Sequence, residues 1–265
     1  MLPLGLWHVS SEAEFHAWLT RVVFVLAAIT FLSALKIIAP YGRHVRSGWG
    51  PTVQARLGWI VMESPSAIGF LWVYSWGAHK YETTPLLAAT LWLVHYCYRA
   101  FVYPFLVRSH RDKRMPALPI MLMGVFYNSM NSYVNARHLS EFGYYSADAP
   151  FARPSFYLGL LLFAVGFGIN VHSDQILINL RRPGETSYVV PHGGMFRFVS
   201  APNYFGEILE WTGWSLLAWS LPGVSFAVYT AANLVPRALV NHQWYHDKFK
   251  DAYPKARSAV IPWLL

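Results

Sequence analysis

The sequence predicts an all-α, polytopic membrane protein of seven transmembrane helices, and three observations lead there. Of 265 residues, 55% are hydrophobic and only 13% charged, about half the charged share of a soluble domain, and mean hydropathy is +0.29. Seven apolar stretches recur, each long enough to cross about 30 Å of hydrocarbon at about 1.5 Å per residue. The cations fall in short clusters between those stretches, so the net charge of +8 speaks for membrane topology and not for a nucleic-acid partner.

The stretches lie near 14–39, 53–77, 84–107, 116–137, 154–180, 202–220 and 224–248. Leu221, Pro222 and Gly223 alone separate the sixth from the seventh, a hairpin signal for neighbouring antiparallel helices. Basic clusters follow the odd-numbered helices, with Arg43 and Arg46, Arg108 and Arg111, Arg181 and Arg182, and Lys248 and Lys250; the other side carries only Arg21, Lys80, Arg137 and Arg153. The positive-inside rule then places the N-terminus outside and the C-terminus in the cytosol. The opening MLPLGLWHVSSEAEF lacks the basic region and cleavage site of a secretory signal, so the first helix is expected to stay in the mature protein. A single cysteine, Cys97, excludes an intrachain disulfide framework and a cysteine-based zinc site and reads as a small packing residue.

Polar residues inside these helices mark a cavity. In the second, Glu63 stands in WIVMESPS with Pro65 two residues on, which loosens the helix and frees a carbonyl. In the third, Trp92, Tyr96, Arg99 and Tyr103 fall on one face, and the pairing expected is Tyr96 with Glu63 or, structurally, Glu63 with Arg99. His95 and His172 read as packing histidines, since no metal-ligand spacing accompanies them and no metal is expected. In the fifth, Asn170, Asp174, Leu177 and Arg181 align at i, i+4, i+7 and i+11. An ionisable residue at membrane depth is by default a functional candidate. The sixth opens with Ser200 as its expected cap and an early Pro202, and presents Asn203, Glu207, Glu210 and Trp214 as a face whose carboxylates answer the basic loop before it. The seventh repeats the device with Asn233, Arg237, Asn241 and Tyr245.

Arginines and loop amides suit phosphates, Asn and Asp suit ribose hydroxyls and a carboxamide, and tyrosines cover flat rings, so a dinucleotide entering from the cytosol fits the inventory. It is not a Rossmann site. Gly166 and Gly168 give a GxG followed by Val171 in place of a third glycine, inside an apolar helix.

GINVHSD (168–174), LRRPGE (180–185) with Tyr188, SAPNYFGEILEW (200–211) and the tail AYPKARSAVIP (252–262) resemble the steroid 5α-reductase family, as do Tyr41 to His44, Glu63 and HYCYRAFVYP (95–104). The resemblance implies one integral-membrane reductase domain over 1–265, with about 1–110 as the substrate half and about 111–265 as the cofactor half. It implies reduction by NADPH of the C4=C5 bond of 3-oxo-Δ4 steroids, or of a related enone lipid. Glu63 and Tyr96 would polarise the 3-keto oxygen. Asn170, Asp174, Arg181, Tyr188, Asn203, Glu207, Asn241 and Tyr245 would line the NADPH site together with Tyr41 and Arg99. The implied enzyme is a multi-pass monomer in the lipid bilayer, of the inner membrane in a bacterium or the endoplasmic reticulum in a eukaryote, its cofactor site facing the cytosol. Two positions depart from the mammalian steroid enzymes of the family: Met62 where they have Gln, and Asn241 where they have His.

The chemistry agrees with the resemblance. Hydride addition to an enone places negative charge on the ketone oxygen, and a donor aimed there lowers the barrier. A glutamate bonded to the Tyr96 phenol either fixes its orientation or, in its acid form, donates to the oxygen itself. Two rival classes exist. The last helices and tail are also similar to isoprenylcysteine methyltransferases, which leaves Glu63 and Tyr96 without a task. A transporter or sterol receptor accounts for intramembrane charge but not for charged faces gathered at one membrane side without an internal repeat.

Overall fold

A computed structural model describes residues 11–37, 39–40, 44, 46–107, 114–145, 152–180 and 187–265. Among these residues the helices form seven columns that track the seven apolar stretches. The first is α1 (Glu12–Ala34), begun by Ser11, whose side chain accepts from Glu14 N. The second runs from α2 (Ala55–Ser64) through a π turn (Pro65–Gly69) into α3 (Phe70–Tyr74). The third joins α4 (Thr83–Cys97) through a π turn (Tyr98–Val102) to α5 (Tyr103–Leu106). The fourth is α6 (Met123–Arg137), with π turns before it (Ala117–Leu122) and after it (His138–Phe142). The last three are α7 (Pro154–Asn179), α8 (Pro202–Ala218) and α9 (Leu221–Phe249). Three helices are long and apolar enough to cross a membrane unbroken: Glu12–Ala34, Pro154–Asn179 and Leu221–Ala252.

The π turn at Pro65 has a local cause. Pro65 lacks the N–H that an α-helix needs, Val61 O takes the Ser64 hydroxyl at 3.2 Å, and three carbonyls around the turn accept side-chain donors from other columns. Asn128 Nδ2 donates to Met62 O at 2.7 Å, Ser132 Oγ to Pro65 O at 3.0 Å and Trp92 Nε1 to Ser66 O at 2.7 Å. A wide turn is tolerated in an apolar setting where donors from neighbouring helices meet its carbonyls. One short antiparallel ribbon, β1 (Thr52–Gln54) with β2 (Arg114–Pro116), which the hydrophobic pattern did not foretell, ties the second column to the entry of the fourth.

The closest packing joins α7 to α8, where glycines face each other. A methyl at Gly206 would stand 2.6 Å from Asn170 N, and one at Gly159 would stand 2.6 Å from Gly213 O. Gly166 and Gly213 are as tightly placed. Backbones can approach this closely only where both carry small residues. The core beside this seam is aromatic: Trp92, Trp211 and Trp214 are buried and pack on Phe226 and Phe70.

Several boundaries differ from the sequence expectation. The α8–α9 turn lies at Trp219, which takes a left-handed conformation, and at Ser220, which caps α9 through Gly223 N. Leu221 to Gly223 already belong to the helix, since Pro suits a first turn that needs no N–H. Ser200 does not cap α8. Its Oγ is shared among His242 Nδ1, Tyr253 OH and Ser258 O, and so pins the C-terminal tail, which also pairs with the chain just before α8 (Ser200 N to Ser258 O, 2.9 Å; Ala201 N to Ala259 O, 3.0 Å). Cys97 is exposed on the outside of the bundle and not packed within it. His172 is exposed as well.

Candidate active site

The π turn begins two residues past Glu63, which lines a cavity of about 990 Å³. That is the upper end of the range for small-molecule sites, about 300–1,000 Å³. Tyr96 lines the same cavity from α4. Its ring is held by Trp92 (centroids 4.9 Å apart), Trp211 (5.5 Å, stacked) and the edge of His95 (5.0 Å, 73°). Glu63 Oε2 accepts from Asn128 Nδ2 at 3.3 Å. Among the described residues no hydrogen bond joins Glu63 to Tyr96, so the expected pair shares a cavity without being bonded to each other, and Glu63 is not paired with Arg99 as an ion pair either. Asn128 was missed by the sequence reading. The signal was present in Asn128, Asn131, Ser132 and Asn135, a polar ladder at helical spacing in a membrane-length segment.

Deeper along the third column stands Arg99. Its guanidinium lies between the rings of Trp59 (4.7 Å) and Tyr103 (4.6 Å), and Nη1 donates to Asp174 Oδ2 at 3.3 Å. Asp174 Oδ1 accepts from Asn203 Nδ2 at 3.0 Å. Asn170 Nδ2 donates to Asn203 O at 3.0 Å and to Glu207 Oε2 at 3.4 Å. Asn170, Asp174, Asn203, Glu207 and Arg99, drawn from three helices, therefore form one hydrogen-bonded network. Asp174 is buried, and losing one member of such a pair strands a charge at a cost of about 3–5 kcal/mol. Trp59, four residues before Glu63 on the same helix face, is a second residue the sequence reading did not select.

The seventh helix contributes as its spacing suggests: Asn233, Arg237, Asn241 and Tyr245 all line the cavity. Asn241 Oδ1 lies 3.1 Å from His44 Nε2, and Tyr245 stacks on Tyr253 (5.2 Å, 6°). Tyr188 reaches the cavity wall and packs on Trp244 at 4.8 Å. Tyr41 and Arg181 lie outside the described residues. Glu210 departs from expectation. Only Asn203 and Glu207 of its face line the cavity; Glu210 is fully buried and bonded to His95 Nδ1 at 2.8 Å, not turned to the basic loop. His95 is a bonded histidine, but it also lines the cavity.

The cavity thus has an apolar portion walled by α1 and α6, with Ile29, Leu26, Phe126 and Met123, and a polar portion walled by α5, α8 and α9. Comparison with known proteins bears directly on it. Residues 113–265 match the family described as 3-oxo-5-alpha-steroid 4-dehydrogenase. The steroid 5-alpha-reductase DET2 of Gossypium hirsutum is 40% identical over 96% of this chain and 99% of its own. The 3-oxo-5-alpha-steroid 4-dehydrogenase 1 of Bos taurus is 42% identical over 91% of this chain and 98% of its own, and that of Homo sapiens is 42% identical over 84% and 85%. The chain belongs to the 3-oxo-5-alpha-steroid 4-dehydrogenase family. It is accordingly an oxidoreductase. The family match begins after Glu63, Tyr96 and Arg99, but the cotton relative spans nearly the whole chain, so likeness extends beyond the C-terminal half where the polar network is densest.

Proposed function

We propose that this chain uses NADPH to reduce the C4=C5 double bond of a 3-oxo-Δ4 steroid to the 5α product. The observation that carries the reading is one continuous cavity lined by Glu63 and Tyr96 and also by Arg99, Asn203 and Glu207, with Asp174 bonding Arg99 and Asn203 from outside the lining. Neither part alone requires a two-substrate reaction; a shared cavity of about 990 Å³ does suit one. The names of its relatives support the same substrate class.

The residues present fit a dinucleotide. Arg99 and Arg237 offer cations, Asn203 and Asn241 amides, Glu207 an acceptor for hydroxyls, and Tyr188 and Tyr245 flat surfaces. Arg181 and Tyr41 join this set by resemblance. When bound, NADPH supplies the hydride; the rest falls to the chain's own side chains. The apolar wall from α1 and α6 takes the flat steroid and keeps water away. Tyr96 donates to the ketone oxygen, where negative charge grows, and one donor of this kind lowers a barrier by about 2.7–4 kcal/mol. Asn128 holds Glu63 beside the same oxygen. The substrate half is then about 1–110 with α6 added to it, and the cofactor half the remainder. In the membrane, the seven columns serve as seven spans, the N-terminus outside, with the cofactor portion open to the cytosol.

Incubation of the purified protein with NADPH and a panel of 3-oxo-Δ4 steroids, with products identified by mass spectrometry, tests this. Gain of two hydrogens with 5α stereochemistry is expected. Turnover of non-steroidal enones alone would leave a reductase but remove the steroid, and methyl transfer from S-adenosylmethionine would remove both.

A further inference from the structure

Saturating a C=C bond needs a proton at the α carbon as well as a hydride at the β carbon, and Tyr96 and Glu63, engaged at the ketone, supply neither. We propose that His95, oriented by Glu210, is the acid that protonates C4; the proposal rests on the steroid-reductase reading above.

His95 immediately precedes Tyr96, about 100° away around the helix, and both line the cavity. The His95 ring stands edge-on to Tyr96 and lies 4.7 Å from the Trp211 ring at 64°, so its place is set by aromatic packing on two sides. Its Nδ1 is committed to Glu210 Oε1 at 2.8 Å, which leaves Nε2 as the ring nitrogen available to the cavity. The Glu210 side chain is completely buried and that of His95 is 3% exposed. Glu210 Oε2 is buried without a hydrogen-bond partner, so the one side-chain hydrogen bond of this carboxyl group among the described residues is the one to His95. A buried carboxyl group needs a hydrogen-bonded neighbour with which to share a proton, and an imidazole bonded through Nδ1 is the group present. Among the described residues no hydrogen bond joins the pair to the Arg99 network, and the cofactor reading gives it no task.

The step balances. Hydride from the nicotinamide adds to C5, the π electrons of C4=C5 move between C3 and C4, and charge collects on the oxygen held by Tyr96. A bond then forms from C4 to the Nε2 proton as the N–H bond breaks, its electron pair staying on Nε2, while the carbonyl re-forms. His95 is left neutral with Nδ1–H still on Glu210, and water returns the proton before the next turnover. Glu210 is a positioning residue in this scheme: it fixes the ring and stabilises its protonated form.

Glu210→Gln separates this role from a structural one, because Gln keeps an oxygen for the Nδ1–H bond but loses the charge. Expected are intact NADPH binding and KM, kcat lower by about 100-fold, and a larger solvent deuterium isotope effect on kcat; His95→Gln should match it. In D2O the wild-type product should carry deuterium on one face of C4. Wild-type turnover by Glu210→Gln, an unchanged isotope effect, or loss of NADPH binding in both variants would make the pair structural and overturn the proposal. Deuterium on both faces of the wild-type product overturns it without any variant. A wild type that does not reduce steroids at all signals instead the failure of the steroid reading itself.

Discussion

Tyr96 and Glu63 share a cavity wall without a hydrogen bond between them, and in the proposed reaction both act at the ketone oxygen. Removing either should therefore act on the chemical step and leave the cofactor in place. Tyr96→Phe and Glu63→Gln are expected to lower kcat by about 100- to 1,000-fold, the loss for one oxyanion donor, with NADPH affinity unchanged by fluorescence titration. Equal loss of binding would move both residues into the cofactor site. The network residues predict the opposite split. Asn203 bonds Asp174 at 3.0 Å, and Asp174 holds Arg99 between Trp59 and Tyr103. Asp174→Ala or Asn203→Ala releases that guanidinium, so NADPH affinity should fall at least tenfold, as read by the same titration, whereas steroid binding to the remaining wall persists.

The network exists because two helices come close enough to build it, and that proximity is owed to glycine. A Cβ at Gly206 meets Asn170 N at 2.6 Å, and backbone there cannot yield as a flexible side chain could. Gly206→Ala should therefore push α8 from α7, lengthen the Asn170–Asn203 contact, and destabilise the protein by about 1–3 kcal/mol; a lowered midpoint in thermal unfolding together with weaker NADPH binding checks it. Ser129→Ala, a change on α6 away from this seam, serves as the control. This seam shows what a sequence can and cannot convey. Asn170 with Asp174, and Asn203 with Glu207, were legible because residues four apart on a helix share a face whatever its neighbours. Asn128 was not, since its importance lies in which carbonyl a π turn frees on another column. Glu210 was misread because it stands about 10 Å further along α8 than Asn203, where the same helix face has left the cavity and entered the aromatic core. Cys97 shows the same limit: its outward position depends on how α4 is rotated, which periodicity in an almost uniformly apolar helix does not reveal.

At the scale of the whole molecule, contacts sort the chain into two ends. At one, Arg137 bonds Glu12 (2.7 and 2.9 Å), Ala78 N bonds Glu141, and Arg153 lies over Trp219; its cations are few and face carboxylates or rings. At the other, the β1–β2 ribbon with Arg114 and Arg56, the His44–Asn241 contact and the tail with Arg257 come together beside the polar half of the cavity. Lys248, Lys250 and Lys255 in the same tail add further positive charge. Clustered cations resist translocation, so this second end should remain in the cytosol. A fluorescent protein that matures only in the cytosol, fused after Leu265, should be bright, and a cysteine introduced at Tyr81, exposed at the first end, should be labelled by a membrane-impermeant maleimide added from outside. The native Cys97 is replaced by Ser in that variant to leave one reactive thiol. A dark fusion in an active protein, or labelling of Tyr81→Cys only after the membrane is opened, would invert the molecule and place its cofactor portion on the wrong side for a cytosolic dinucleotide.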